Sequence, residues 1–264
     1  KSGQTIFPIS FSNMEEILKR FDNRSRKEVY SFFIEVSKGY SIFPHTSKFR
    51  DQEIKLAILK KLSRPYKDLK EFVFKKGICH LVGAEGKIIG CMPLEQKKKA
   101  LDYINSKEGM LFLFNHSDPA RMTQRRERNK NIVEKLEEAR KRELSIKNKF
   151  HREIYARGEF LLTLLPSVFK VQQEINYPKS LFKNFPMYPT IPFNPKDKID
   201  KASFRKEIYD FLKSMPSTFC VCELNRKRNE AESRPIKEND LDDIFSLSMG
   251  IAYCDIVVGE NFFI

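Results

Sequence analysis

The residues best suited to chemistry in this chain are acids near its two ends. In Asn239-Asp240-Leu241-Asp242-Asp243, Asn239 or Asp240 can cap a helix whose inward side is Ile244, Leu247, Ser248 and Ile251. Asp240 and Asp243 lie three apart and therefore on one face, with Asp242 turned aside. Tyr253-Cys254-Asp255 then leads into Ile256-Val257-Val258, the wholly apolar run expected of a buried parallel strand, with Gly259-Glu260 at its carboxyl end. In open α/β sheets ligands and catalytic groups collect at that edge. The same order recurs early, where a strand over Ile6–Ile9 precedes Glu15-Glu16 at the start of a helix. Carboxylates so placed suit hard Mg²⁺ or Mn²⁺, and two such ions can activate a water and stabilise the leaving oxygen of a phosphodiester. Acids at helix starts also stabilise the helix dipole with no further role. Glu260, at a strand end, is not covered by that explanation.

Thr5-Ile6-Phe7-Pro8-Ile9-Ser10-Phe11-Ser12-Asn13-Met14-Glu15-Glu16 resembles the second strand and acidic helix of PIN-like nuclease domains. The stretch from Asp243 to Phe263 resembles their closing helix and strand, in which an Asp on the helix is followed by an apolar strand ending in an acid before an aromatic. The resemblance implies a Rossmann-like α/β fold, a parallel sheet flanked by helices. It makes Glu16, Asp243 and Glu260 catalytic and metal-coordinating, with Asp240 a neighbouring metal ligand, and Mg²⁺ or Mn²⁺ the cofactor. The implied activity is metal-dependent endoribonuclease, and for a toxin or defence effector of this kind a regulatory protein partner. The family's opening strand and its Asp have no counterpart after Lys1, so the sequence is expected to begin inside the fold.

The elements that must position these acids follow from periodicity and punctuation. Met14, Ile17, Leu18 and Phe21 have helical spacing, and a second helix fits 25–38 with Gly39 ending it. Ser41–Pro44 is strand-like, and 51–62 and 66–75 read as helices. Ile78–Val82 and Ile88–Met92 flank Gly83–Gly86 as either a hairpin or two helix ends. Pro93 suits the first turn of a helix to about Asn105. Residues 118–157 form one long helix or two, 178–195 a proline-rich connector with five of the 13 prolines, and 202–214 a helix. Phe219, Val221 and Glu223 alternate with Cys220, Cys222 and Leu224, which predicts a strand over 218–224 and a loop over 225–238. The organisation expected is an α/β domain made from 1–49 and 200–264, interrupted by a large, mainly helical basic insertion over 50–199.

That insertion carries the charge. Residues 121–157 hold 13 Lys or Arg against 6 Asp or Glu, half of the chain's net +14, whereas 237–264 hold one Lys against six acids. Arg125, Arg126, Arg128, Lys130, Arg140, Lys141 and Arg142 are candidates for neutralising phosphates, with RNA favoured over DNA. Pairs such as Glu137–Lys141 and Glu138–Arg142 would instead mark a solvated helical face. A non-catalytic nucleic-acid-binding or assembly protein on the same scaffold is the alternative to the nuclease.

With 264 residues, 41% of them hydrophobic, the chain has enough apolar surface for a core without staples. No apolar run is long enough for a membrane span. Cys79, Cys91, Cys220, Cys222 and Cys254 are odd in number and irregularly spaced, which argues against a disulfide framework or zinc site and for the reducing cytoplasm. Gly83-Ala84-Glu85-Gly86-Lys87 lacks the spacing of a phosphate loop. The four histidines (His45, His80, His116, His151) are scattered and show no triad spacing.

Overall fold

The computed structural model describes residues 6–18, 22–83, 93–115, 120–177 and 201–257. The helices are α1 (Phe11–Leu18), α2 (Asn23–Ser37), α3 (Ser47–Lys61), α4 (Lys70–Val73), α5 (Ile78–Leu81), α6 (Leu94–Ile104), α7 (Lys107–Asn115), α8 (Ala120–Leu144), α9 (Lys149–Glu174), α10 (Lys201–Lys213), α11 (Pro216–Glu230) and α12 (Asp240–Tyr253). Two short strands, β1 (Tyr40–Ile42) and β2 (Phe74–Lys76), pair antiparallel with Ser41 opposite Lys75.

The expectation of a parallel Rossmann-like sheet is overturned, because the described residues are mostly helical and their one sheet is this two-stranded antiparallel pair. The early strand reduces to a single parallel bridge: Ile9 N–H donates to the Tyr40 carbonyl and Ile42 N–H to the Ile9 carbonyl, both at 2.9 Å. Residues 254–257 form no strand, and Ile256 is 73% exposed, so the closing apolar run is unpaired over its described part. Val258 and Glu260 lie outside the described residues.

The strand expected over 218–224 lies inside α11, for an identifiable reason. Pro216 occupies the first turn of the helix, where its missing N–H costs nothing. Ser217, Thr218, Val221, Cys222, Leu224 and Arg228 are its buried positions, a helical rather than a two-residue period. Alternation over seven residues was too short to separate the two periods. The helix continues to Glu230, shortening the expected loop. Similarly, 66–75 is helical only over Lys70–Val73 before turning into β2.

Local chemistry sets the other helix starts. Ser10 and Asn13 form a reciprocal box before α1: Ser10 N–H donates to Asn13 Oδ1 at 3.0 Å and Asn13 N–H to Ser10 Oγ at 3.2 Å. Asp22 caps α2, Thr46 caps α3 and Asn148 caps α9. Helix α2 ends with Lys38 left-handed at φ +53° and Gly39 at φ +75°, the latter a conformation that glycine adopts without strain. The basic segment is two helices, α8 and α9, and α9 runs on through Pro166 to Glu174.

Four apolar clusters form among the described residues, two of them large. One joins Ile54, Ile58 (α3), Leu161, Leu164, Val168 (α9), Ile208, Leu212 (α10) and Cys222 (α11). The other joins Ile9, Met14, Ile17, Tyr30, Ile34, Leu81 and Met110 from the N-terminal third. Phe43, Phe49, Val73 and Met249 pack between strand β1 and α12. At roughly 1.5–3 kcal/mol for each fully buried large apolar side chain, these contacts outweigh any local strand preference.

Candidate functional site

Of the expected acidic site, the structure brings the helix of Glu16 against the helix of Asp240 and Asp243. Helix α1 packs on α12: Ser12 Oγ meets Ser246 Oγ and stands 3.4 Å from the Asp242 carbonyl. Glu16 is exposed on α1, Asp243 is half-buried on α12, and Glu260 lies outside the described residues. Asp240, 1% exposed, is committed elsewhere. Arg234 donates to both of its oxygens, at 2.8 and 3.1 Å, and Lys237 N–H donates at 3.0 Å. A carboxylate bound by a guanidinium fork has few lone pairs left for a cation. Among the described residues no three of His, Cys, Asp and Glu stand close enough to hold a metal ion.

What the junction of α1, β1 and α12 does contain is a cavity of about 170 Å³. It opens beyond the carboxyl ends of the Ile9 bridge and β1, the place where open α/β sheets bind ligands, here reduced to one parallel bridge. Phe43, His45, Thr46, Asp242, Phe245 and Ser246 are among its walls. The His45 ring stacks on Phe245, centroids 5.3 Å apart and planes 6° from parallel. Burial pushes the imidazole down to about 4; the Glu53 carboxylate works the other way and Arg50 adds to the fall. The ring is therefore neutral at neutral pH. Its Nε2 atom is closed off from solvent and meets no hydrogen-bond partner among the described residues. Periodicity gave no reason to single out His45. The available signal was its place, Pro44-His45-Thr46, between a strand end and a helix cap.

Two other histidines and two of the cysteines show how their surroundings hold them. Buried His80 has its Nε2 2.8 Å from the Val73 carbonyl, and His151 is exposed beside Phe150. His116 lies outside the described residues. Burial raises the Cys220 thiol to about 11 and Cys222 to about 12, keeping both protonated and unreactive at neutral pH.

The basic candidates divide by exposure. Lys130, Lys141 and Arg142 are exposed on α8, and Lys135, Lys147 and Lys149 join them along α8 and the turn into α9. Arg140 is different, 4% exposed. It donates to the Ala231 carbonyl at 2.6 Å and the Arg234 carbonyl at 2.8 Å, which ties α8 to the segment leading into α12 and removes it from the phosphate-binding set. The side chains of Arg125, Arg126 and Arg128 lie outside the described residues. Acids in the same stretch turn inward. Glu137 accepts from Ile236 N–H at 2.7 Å, and Glu143, 5% exposed, accepts from Asn229 at 2.7 Å. Between 130 and 152 six basic residues are exposed against two acidic ones, Glu134 and Glu138; the net charge of the exposed set equals that of the whole stretch, because Arg140 and Arg152 are withdrawn along with Glu137 and Glu143.

No helix among the described residues is long and apolar enough to cross a membrane. Comparison with known protein families, with curated proteins and with solved structures found no match to this chain.

Proposed function

We propose that the protein is a non-catalytic nucleic-acid-binding protein of the cytoplasm, with single-stranded RNA as its target and the outer face of α8 and the α8–α9 turn as its grip. The observation that carries this reading is the run of exposed cations there, Lys130, Lys135, Lys141, Arg142, Lys147 and Lys149, against two exposed acids, Glu134 and Glu138. A row of exposed cations tracks a phosphate backbone without sequence preference and gains affinity from released counterions. Affinity for a single-stranded RNA should therefore fall steeply as salt is raised. The triple variant Lys130→Gln, Lys141→Gln, Arg142→Gln should lower the slope of log affinity against log salt by about 2. An unchanged slope would remove the face from binding.

The metal-dependent endoribonuclease is a second reading, favoured by one observation: the packing of α1 on α12 sets the helix of Glu16 beside the helix of Asp243. RNA cleavage measured with Mn²⁺ added, for the chain and for Glu16→Gln and Asp243→Asn, decides it. Activity lost in both variants supports the nuclease, and no cleavage, or equal cleavage by all three, ends it.

A further inference from the structure

Resting on the nucleic-acid reading, we propose that the loop after α3 is a second contact for the strand, in which a base stacks on the Tyr66 ring while Lys60, Arg64 and Lys67 neutralise the phosphates beside it. The charge of the segment is the first reason. Residues 60–76 hold seven basic residues against Asp68 and Glu71, all nine of them exposed, a tighter concentration of cations than the six against two over 130–152. Two of the seven stand near acids, Lys61 at 3.4 Å from Glu207 and Lys70 at 3.8 Å from Asp255, and are left out of the contact. Lys60, Arg64 and Lys67 cluster within one turn of chain around the ring.

The ring is the second reason. Of the large apolar side chains over 60–76, Tyr66 alone is exposed, at 52%. Lys60 Nζ lies over one side of it, 5.1 Å from the ring centroid. Cations alone would suit any polyanion. A flat ring set among them suits a polymer that carries a flat apolar group beside each phosphate, and single strands are held without sequence preference by that pairing of stacking and charge. An acidic peptide offers the charge without the regular planes. A bilayer surface offers the charge too, but seating a segment in it takes more apolar surface than one ring.

The third reason is that local structure holds these groups in place. Helix α3 ends in a Schellman arrangement: Arg64 N–H donates to the Leu59 carbonyl at 2.9 Å and Ser63 N–H to the Lys60 carbonyl at 3.0 Å, with Ser63 left-handed at φ +52°. Pro65 then restricts the backbone immediately before Tyr66. Groups fixed before binding lose less freedom when a ligand arrives. Lys60 and Lys61 also favour the carboxyl end of the α3 dipole, but that accounts for neither Arg64 and Lys67 nor a half-exposed ring.

The chain has no tryptophan, so Tyr66→Trp in the whole chain places a single indole at the site and keeps a flat ring there. The probes are a short single-stranded RNA, the same strand made entirely of abasic residues, and vesicles of phosphatidylserine and phosphatidylcholine. RNA should quench the indole emission, and the abasic strand should bind about tenfold more weakly and leave the emission unquenched. In the tyrosine chain, Tyr66→Ala should weaken RNA binding about tenfold with the salt slope unchanged, and Tyr66→Phe should keep the affinity. The triple variant Lys60→Gln, Arg64→Gln, Lys67→Gln should lower the slope of log affinity against log salt by about 2. RNA that binds without quenching, with equal affinity for the two strands, would overturn the stacking contact and leave the α8 face standing. Quenching that persists with an unchanged salt slope when Lys130, Lys141 and Arg142 are replaced by Gln would support the loop and remove the α8 face. An indole emission that shifts to the blue with vesicles and does not respond to RNA would assign the loop to a membrane surface and overturn the proposal. Absence of RNA binding altogether would end both readings.

Discussion

Glu53 and His45 are eight residues apart, one inside α3 and one just before it, and both lie against α12. Their surroundings differ in one respect. Glu53, fully buried, accepts four hydrogen bonds: Ser217 N–H at 2.8 Å, Thr218 N–H at 2.9 Å, Thr218 Oγ1 at 2.7 Å and the Tyr253 hydroxyl at 2.7 Å. It acts as the N-terminal cap of α11 from another helix, satisfying amides that α11 cannot pair itself. Burial, and then the Glu53 charge, hold the Tyr253 phenol far above its ordinary range, so it remains a donor. His45 lines a cavity, and its Nε2, closed off from solvent, meets no hydrogen-bond partner among the described residues. A buried polar group whose hydrogen bonds are all made strengthens the framework, and one left unpaired costs it stability.

Removing Glu53 should produce the largest effect. Glu53→Ala orphans four donors where α3, α11 and α12 meet, and should cost about 3–5 kcal/mol in denaturant unfolding, since each unsatisfied buried group costs about 1–3 kcal/mol and relaxation recovers part. Tyr253→Phe removes one of the four bonds and should cost about 1–2 kcal/mol by the same measurement. A neutral outcome for both would dissolve the contrast between the two sites.

His45→Phe should go the other way at neutral pH, leaving stability unchanged or raising it by up to about 1 kcal/mol, because it replaces an unsatisfied nitrogen with carbon of similar shape. The pH dependence sharpens the comparison further. With the folded imidazole held at about 4 and the unfolded one at 6.5, the unfolded chain binds more protons between those values. Stability supplied by the neutral ring is present above pH 6.5 and is lost as pH falls towards 4. His45→Phe should therefore flatten the acid limb of a stability profile relative to the parent chain. An identical limb would mean that His45 titrates normally and is not shielded.

Legibility in the sequence varied with how local the cause was. The helices over 25–38, 51–62, 202–214 and 239–252 matched α2, α3, α10 and α12 within a few residues, because each carries its own period and most carry their own cap or stop signal. The strand over 218–224 failed because seven alternating residues fit either period and, beyond Pro216, the contact that secures the start of α11 is Glu53, more than 160 residues earlier. Asp240 looked like a ligand by its spacing, yet Arg234 occupies both of its oxygens. Arg140 looked like a phosphate contact by its place in a basic run, yet it is buried against two carbonyls. In both cases composition named the residue and its partner decided its role.

Composition and spacing alone are enough to show a basic chain whose positive charge concentrates over 121–157 and whose acids gather near the end, because these are local properties, but the α/β fold they suggested is not the one adopted. Tertiary packing set which charges face water, which carboxylates are saturated and that His45 stands beside a cavity. Those outcomes depend on contacts between residues far apart in the chain, where burial makes every filled or unfilled hydrogen bond count.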